Sequence, residues 1–379
     1  MDPEWTFHSP VRIRFQDQVL DGLGEIVPYD RVALITTPGF VKRGAAEGVK
    51  RSLGDRLVSV LDLVEPNPDL DVLDADRDLF ITGEPQALIA LGGGSAIDTA
   101  KAASRLISGE VSLSSQLREG RPYQGKRQVP IIAVPTTSGT GSEVTPFATI
   151  WDRASRKKYS IDGPDLLPEM ALLDPLLTLG LPKELTVSTG LDAISHALES
   201  AWNRRAGPIS MALAVGSLRL SLESLPRLAR DLGNVQARRS MMAASTMAGL
   251  AIAQTRTALA HSISYPITAE LDVPHGLACG FALPEVLEFN YDGEGGRLSS
   301  LAKDLGYGSV QGLKEALGSL LEVTGADRMM LEMVGDPQEV LRRKAGMIGS
   351  SRATNNLRQA DAADVEGILT NWTRRVGKG

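Results

Sequence analysis

Residues 87–98 read ALIALGGGSAID, and this stretch decides the fold. A short apolar run, Ala87–Leu91, leads directly into Gly92-Gly93-Gly94-Ser95, and a helix-compatible stretch follows at Ile97–Ile107. A continuous apolar run that ends in glycine and is followed by a helix is typical of a strand buried on both faces. The stretch therefore predicts a βα unit of a parallel sheet.

The same pattern recurs in the first half of the chain. Further apolar runs lie at Val32–Thr36, Val58–Leu63 and Pro130–Val134, and another helix-compatible stretch lies at Val41–Leu53. Strands that alternate with helices indicate βαβ units and a parallel sheet.

After about residue 180 the pattern is mostly helical. The predicted helices there are Ser188–Asn203, Pro208–Ser224, Val235–Ala253, Gln311–Thr324 and Pro337–Ser350. We therefore predict two domains: an α/β dinucleotide-binding domain with a parallel sheet at 1–180 and an all-α metal-binding domain at 181–379.

Composition narrows the class of protein. The chain has 379 residues, 42% of them hydrophobic, a net charge of −6 and one cysteine, Cys279. The length suits two domains, and the acidic balance disfavours a nucleic-acid partner. A single cysteine excludes an internal disulfide framework and favours a reducing compartment such as the cytoplasm. We expect no signal peptide and no membrane span, because the sequence shows neither pattern.

Two Gly-rich loops are candidates for nucleotide binding. Glycines at Gly92–Gly94 would let backbone N–H groups approach a diphosphate at a helix N-terminus. The alternative is a tight turn with Ser95 as the helix N-cap. A second loop, Pro135–Glu143 (PTTSGTGSE), follows another predicted strand. Ligands of open α/β sheets bind at the carboxyl ends of strands, so the two loops together favour one nucleotide crevice.

One carboxylate and three histidines of the helical half are candidates for a metal site. Asp192 and His196 are four residues apart and share a helical face. His261 and His275 follow, also in apolar surroundings. Each histidine alone is more often a core residue, but several buried imidazoles are costly unless something pairs them. The set favours a divalent cation such as Fe²⁺ or Zn²⁺.

These motifs identify a family resemblance that covers roughly residues 30 to 290. The first loop, the second loop, the stretch Asp174–Leu198 and Val273-Pro274-His275-Gly276 resemble motifs of the iron-dependent (group III) alcohol dehydrogenases. The resemblance implies a dehydroquinate synthase-like fold, with the active site in the cleft between two domains. It also implies a homodimer or larger homo-oligomer and an NAD(P)-dependent dehydrogenase or aldehyde reductase.

The resemblance also implies roles for individual residues. The implied metal ligands are Asp192, His196, His261 and His275. The implied dinucleotide contacts are Gly93, Gly94, Ser95, Asp98, Thr136 and Thr137, with Lys158 near the nicotinamide ribose. The metal would act as a Lewis acid on a carbonyl oxygen while the nicotinamide delivers hydride to the carbonyl carbon.

Departures from the family pattern bear on the substrate. Tyr265 stands where many members have a histidine that relays protons, so it is either the proton donor or a residue that lines the pocket. Arg256 replaces a glycine; on a regular helix it would point away from His261, so its reach requires a local break. Thr257, at i−4 from His261, is predicted to share its face, and Phe147 is a candidate for the same pocket. Arginine suits phosphate-like oxyanions.

The predicted substrate is therefore a small anionic aldehyde. The His-x-x-Ser-Tyr-Pro variant with an upstream arginine resembles the phosphonoacetaldehyde reductase subgroup, which makes 2-hydroxyethylphosphonate for phosphonate natural products. Thr37 stands where NAD-preferring members carry an acidic residue, so NADPH or NADH is expected as the cofactor. The alternatives are a dehydrogenase of neutral short-chain alcohols or diols, a metal-dependent lyase on this fold, and a non-catalytic protein that keeps the fold.

Overall fold

The structure, a computed structural model, describes residues 4–123, 125, 129–155, 157–291, 296–348 and 352–377. Its described residues form two compact units. The first, here called the sheet unit, contains Ser9–Thr137 and Ser142–Thr178. The second, the helical unit, contains Leu179–Gly379 together with Met1–His8 and Ser138–Gly141. None of the helices in the described ranges has the length and apolar character to cross a lipid bilayer.

The sheet unit is built on a six-stranded parallel sheet, which confirms the predicted fold class. Its strands are β1 (Arg12–Phe15), β2 (Val32–Thr36), β3 (Leu57–Leu61), β4 (Ala87–Gly92), β5 (Ile131–Pro135) and β8 (Met170–Leu173), and a separate antiparallel hairpin is formed by β6 (Phe147–Asp152) and β7 (Lys157–Asp162). The order across the sheet is β1-β8-β5-β4-β2-β3. Every residue of β2, β4 and β5 is buried, as expected for strands covered on both faces.

Helices cover the sheet. They are α1 (Leu23–Ile26), α2 (Pro38–Lys42), α3 (Ala45–Leu53), α4 (Leu70–Ala75), α5 (Arg77–Ile81), α6 (Gly94–Ser108) and α7 (Leu113–Arg118). The single helix predicted at Val41–Leu53 is wrong, because the chain breaks at Gly44, where φ is +80° and helical geometry ends. The prediction also missed β1, β8 and the hairpin.

The helical unit contains α-helices and short 3₁₀ turns in its described part. Its helices are α8 (Lys183–Ala201), α9 (Pro208–Arg230), α10 (Val235–Thr255), α11 (Leu259–Leu271), α12 (His275–Gly280), α13 (Leu283–Tyr291), α14 (Arg297–Asp304), α15 (Val310–Thr324), α16 (Ala326–Val334), α17 (Gln338–Arg342) and α18 (Ala362–Val376). The long helix predicted at Pro337–Ser350 is wrong: α17 ends at Arg342 and a 3₁₀ turn follows at Lys344–Met347. The last two residues of that predicted helix lie outside the described residues.

Helix α8 is the centre of the helical unit. It packs against α9, α10 and α12, and nearly all of its residues are buried. A helix that is buried all round normally carries apolar side chains on every face. This one also buries Asp192, His196 and Glu199, so it places ionisable groups inside an apolar core.

Candidate metal and dinucleotide sites

Three imidazoles surround one carboxylate oxygen in the helical unit. Asp192 and His196 lie one turn apart on α8, and His196 Nε2 is 3.6 Å from Asp192 Oδ1. His261, on α11, places its Nε2 3.6 Å from the same oxygen. His275, the first residue of α12, places its Nε2 4.0 Å away. The structure thus brings together all four residues predicted to bind the metal.

The spacing of these atoms fits a shared cation better than hydrogen bonds. Separations of 3.6–4.0 Å are too long for a hydrogen bond. Asp192 Oδ1 and His261 Nε2 are buried and have no hydrogen-bond partner in the described part of the chain. Two ligands each about 2.1 Å from one ion lie about 3.4 Å apart at a tetrahedral angle. These side chains therefore fit a divalent cation, and imidazole with carboxylate suits Fe²⁺ or Zn²⁺.

Glu199 orients one of these imidazoles. Its buried carboxylate accepts hydrogen bonds from His261 Nδ1 at 2.6 Å and from the His261 backbone N–H at 3.0 Å. Burial alone would raise the pKa of Glu199, but the neighbouring His261 holds it below the ordinary value, so the carboxylate is ionised. A carboxylate on the far nitrogen fixes the tautomer that presents Nε2 to a metal. Sequence reasoning missed Glu199, although it lies on the same face of α8 as Asp192 and His196.

Cys279 lies in the same cluster. Its Sγ is 3.7 Å from both ring nitrogens of His275, and potential ligand atoms of Asp192, His261, His275 and Cys279 all lie within 4.8 Å of one another. Burial raises the pKa of the thiol, so at neutral pH it is protonated and a weaker ligand than a histidine. His196 Nε2 lies as close to Asp192 Oδ1 as His261 Nε2 does, although His196 is outside this group of four.

The chain breaks between α10 and α11, just before His261. Arg256 has φ 69° and ψ 172°, a region that is essentially reserved for glycine. Its carbonyl accepts a hydrogen bond from Asn203 Nδ2 at 3.1 Å. A local break in the helix is required for the Arg256 side chain to point towards His261, and the chain has such a break at this residue. The prediction that Thr257 shares a helical face with His261 is wrong, because residues 256–258 are not helical. Thr257 is buried, and its carbonyl accepts a hydrogen bond from Asn355 Nδ2 at 3.0 Å.

Tyr265 lies one turn after His261 on α11 and is partly buried. The guanidinium of Arg352 lies over its ring, with 4.7 Å between the guanidinium carbon and the ring centroid. A cation over an aromatic face is a favourable contact. The structure therefore gives Tyr265 a fixed place next to a cation, which the sequence did not predict.

In the sheet unit, the first Gly-rich loop lies beside Pro135–Thr137, the start of the second. Gly92 pairs with Pro135 across β4 and β5, and the Thr136 N–H donates to the Gly92 carbonyl at 2.9 Å. A Cβ on Gly93 would lie 3.2 Å from the side chain of Thr137, so glycine keeps the space between the loops open. The N-cap of α6 is Gly93 and not Ser95, which corrects the alternative in which Ser95 capped the helix.

This arrangement fits the diphosphate of a dinucleotide. The N–H groups of Gly94 and Ser95 open α6, and the first N–H groups of a helix have no acceptor within it. Thr37 follows β2, the strand beside β4. The chain leaves β2 towards β3 on one side and leaves β4 towards β5 on the other. Such a reversal of direction marks the ligand crevice of open α/β sheets.

Asp98 holds the second loop in place. One carboxylate oxygen accepts from Ser142 Oγ at 2.6 Å and the other from the Thr149 N–H at 2.9 Å. The buried ammonium of Lys101 also donates to Ser142 Oγ, at 3.0 Å. Both oxygens of Asp98 are therefore engaged within the sheet unit, which gives it a positioning role in addition to the predicted cofactor contact.

Two further predicted site residues lie on the hairpin of the sheet unit. Lys158, on β7, is partly buried, and its Nζ lies 5.6 Å from the centroid of the Trp151 ring. Burial raises the pKa of the Asp98 carboxyl, and the charge of Lys101 and, to a smaller extent, that of Lys158 oppose this effect. Phe147 is the first residue of β6, and its carbonyl accepts from Lys101 at 2.8 Å.

A parallel sheet whose loops fit a dinucleotide, with a carboxylate–imidazole cluster in a helical unit, is the arrangement expected of a metal-dependent oxidoreductase. Comparison with known proteins bears this out. The family model of iron-containing alcohol dehydrogenase matches residues 10–175, and that of the C-terminal region of Fe-containing alcohol dehydrogenases matches residues 186–372. The chain belongs to the iron-containing alcohol dehydrogenase family, and it is an NAD-linked alcohol dehydrogenase or aldehyde reductase.

Individual relatives differ in their substrates. The chain is 34% identical over 301 residues to a phosphonoacetaldehyde reductase of Streptomyces viridochromogenes, covering 78% of this chain and 75% of that one. It is 31% identical over 307 residues to a choline dehydrogenase of Bacillus subtilis, covering 79% and 76%. The structure of a sulfoacetaldehyde reductase from Bifidobacterium kashiwanohense in complex with NAD⁺ superimposes with a TM-score of 0.89 at 28% identity, covering 99% and 100%.

Proposed function

We propose that this enzyme reduces a small aldehyde with an anionic group to a primary alcohol, and that phosphonoacetaldehyde, which yields 2-hydroxyethylphosphonate, is its substrate. The observation that carries the proposal is Arg256, which occupies a glycine-type backbone conformation a few residues before His261. Such a conformation costs about 1–3 kcal/mol for a residue with a side chain, and strain of this kind is concentrated at functional sites. An arginine kept there points to recognition of an oxyanion.

The relatives support an anionic substrate without deciding between candidates. By their names, two of them act on aldehydes that carry a tetrahedral oxyanion, a phosphonate in one and a sulfonate in the other. A third, by its name, acts on choline, which is a cation. An arginine near the reacting carbonyl would repel a cation, so it disfavours a choline-like substrate. The second candidate function is oxidation of a neutral short-chain alcohol or diol.

We propose the following roles for the residues of the helical unit. The metal is held by Asp192, His196, His261 and His275. The family favours Fe²⁺, and the types of ligand also suit Zn²⁺. A bound divalent cation supplies a Lewis acid for a carbonyl oxygen. Glu199 keeps His261 in the tautomer that the metal requires. Tyr265 either donates the proton to the product oxygen or lines the pocket, and Arg256 and Thr257 contact the substrate.

In the sheet unit, we propose that Gly93, Gly94, Ser95, Thr136 and Thr137 contact the diphosphate of the cofactor. Asp98 and Lys158 lie beside that loop, and Phe147 contacts the substrate. Thr37 offers no carboxylate to repel a 2′-phosphate, so NADPH is accepted as well as NADH. We further propose a cytoplasmic homodimer or larger homo-oligomer that serves phosphonate natural-product and antibiotic biosynthesis, with light scattering as the test of its mass.

A substrate panel tests the proposed activity. Iron-reconstituted enzyme is assayed for NADPH and NADH oxidation with phosphonoacetaldehyde, sulfoacetaldehyde, betaine aldehyde and propanal. A charged hydrogen bond contributes about 1.5–3 kcal/mol, so kcat/KM for phosphonoacetaldehyde should exceed that for propanal by about ten- to a hundredfold. Equal efficiency with propanal, unchanged by Arg256→Ala, would refute an anionic substrate and favour the second candidate function.

A further inference from the structure

A small cavity in the helical unit is lined, among the described residues, by a buried arginine and by no carboxylate. Its polar wall is formed by Ser138, Thr186, Thr189 and Arg238, and its remaining lining side chains are apolar. All of these residues belong to the helical unit, since this unit includes Ser138–Gly141. The cavity has room for about one species of the size of a water molecule. It therefore offers space for a single small ligand beside a positive charge.

Two hydrogen bonds hold the guanidinium of Arg238 in place. Arg238 lies on α10 and is 2% exposed. Its Nε donates to the Leu232 carbonyl at 3.1 Å, and its Nη1 donates to Thr186 Oγ1 at 3.0 Å. Both acceptors are neutral. These bonds fix the position of the guanidinium, but they leave its charge without compensation.

The remaining guanidinium nitrogen of Arg238 has no acceptor. Nη2 is buried without a hydrogen-bond partner in the described ranges, and no carboxylate of those ranges forms an ion pair with Arg238. Arg105, which is also buried, is instead paired with Asp165. Burial lowers the pKa of Arg238 from its ordinary value, but a guanidinium stays protonated in proteins. A buried cation is costly unless an anion accompanies it.

A second donor without a partner lines the same cavity. Ser138 is 7% exposed, and its Oγ is buried with no hydrogen-bond partner in the part of the chain that the structure describes. A hydroxyl can donate one hydrogen bond, and Nη2 of an arginine carries N–H groups only. An anion would accept from both side chains and neutralise the guanidinium. A water molecule would accept the same bonds and leave the charge in place.

We propose that this cavity binds a single inorganic anion of halide size, with Arg238 Nη2 and Ser138 Oγ as its donors. A halide ion carries one negative charge, which matches the one cation of the cavity wall. Phosphate and sulfate are too large for the space. The site lies apart from the residues assigned to the substrate and is independent of the proposed function.

The bound anion would stabilise the loop that contacts a proposed metal ligand. Gly139 follows Ser138 directly, and its carbonyl oxygen lies 3.3 Å from His196 Nδ1. A Cβ on Gly139 would lie 2.7 Å from the Cβ of Thr189, so this loop packs closely against α8. The anion would therefore join this loop to α8 and α10 at one point.

Halide-dependent stability tests the proposal. The Tm of the iron-loaded wild type is measured in sodium chloride and in sodium gluconate at equal ionic strength. Gluconate is too large for the cavity, so chloride at about ten times its dissociation constant should raise the Tm by about 3–6 °C relative to gluconate. Arg238→Met should abolish this difference, and Ser138→Ala should reduce it. A halide bound to the metal would act equally on all variants at equal metal loading.

Arg227→Met is the matched control. Arg227 lies on α9 next to Leu228, which lines the cavity, but it is exposed and pairs with Glu223. Its loss removes the same charge from the nearby surface, so the difference in Tm between chloride and gluconate should equal that of the wild type.

Crystals of the wild type grown in sodium bromide give a direct measurement, because the anomalous signal of bromide identifies it at its site. Should Arg238→Met fail to fold, Ser138→Ala and these crystals carry the test. Bromide in the cavity, together with loss of the chloride effect in Arg238→Met or its reduction in Ser138→Ala, supports the site. Equal wild-type Tm in chloride and gluconate, an undiminished chloride effect in the variants, or water alone in the cavity overturns it. None of these results depends on the substrate that the enzyme prefers.

Discussion

Replacement of Arg256 by glycine should leave the protein more stable than replacement by alanine, and both replacements should weaken binding of an anionic substrate. The backbone at this position has φ 69° and ψ 172°, which glycine adopts without strain. Arg256→Ala is the matched variant, because it also lacks the guanidinium but keeps a Cβ. The comparison of the two variants thus isolates the backbone contribution from the loss of charge.

The expected difference in stability between Arg256→Gly and Arg256→Ala follows from two opposing effects. A side chain in this conformation costs about 1–3 kcal/mol in the folded state. Glycine costs about 0.4–1 kcal/mol through the greater freedom of its unfolded chain. Arg256→Gly should therefore exceed Arg256→Ala in stability by about 1–2 kcal/mol, which corresponds to about 2–8 °C in Tm for a unit of this size.

Thermal melts and steady-state kinetics at equal metal loading check both halves of this prediction. Both variants lose the guanidinium, so KM for phosphonoacetaldehyde should rise by about ten- to a hundredfold in each. Coincident melting curves for the two variants would show that residue 256 is not strained. An unchanged KM in both would show that Arg256 takes no part in binding the substrate.

Three further predictions concern the carboxylate that orients His261, the first Gly-rich loop and the Arg118–Asp152 ion pair. Glu199→Gln should lower metal affinity by about ten- to a hundredfold, because the neutral amide supports His261 less well; chelator competition measures it. Gly93→Ala should weaken NADPH binding by about tenfold or more in a fluorescence titration, since the added Cβ enters the space between the loops; unchanged metal content excludes unfolding. Arg118, 2.7 Å from the buried Asp152, holds the pKa of that carboxyl well below its usual range. The ion pair stabilises the folded state fully above the unfolded pKa of Asp152, which is about 4, and this stabilisation is lost as pH falls towards the folded pKa. The urea midpoints of the wild type and Asp152→Asn should therefore converge from about pH 5 to about pH 3. A constant difference between the two midpoints would contradict this prediction.

The sheet could be predicted because its central strands are buried on both faces. Such strands read as continuous apolar runs, as at Val32–Thr36, and at β4 glycines mark the end of the strand. Strand β1 reads Arg12-Ile13-Arg14-Phe15 and is exposed throughout, so no apolar run marks it. Its strand character comes from pairing with β8, a contact distant in sequence.

The carboxylate–imidazole cluster could be predicted from spacing on a helix and from rare histidines in apolar surroundings. The surroundings of Arg256 could be predicted only in part. Arg256 stood out as a charge beside His261, but the break that frees it depends on partners such as Asn203, which lies 53 residues away. The contact between Arg352 and the ring of Tyr265 could not be predicted, because ring contacts between distant segments leave no periodic pattern.

The four proposed metal ligands come from α8, α11 and α12, and the whole of α9 and α10 lies between α8 and α11. An ion that binds all four therefore closes a large loop and acts as a removable cross-link. Its binding free energy adds to that of folding, since the unfolded chain offers no such arrangement of ligands. Scarcity of iron would then lower the amount of folded enzyme in the cell as well as the activity of each molecule.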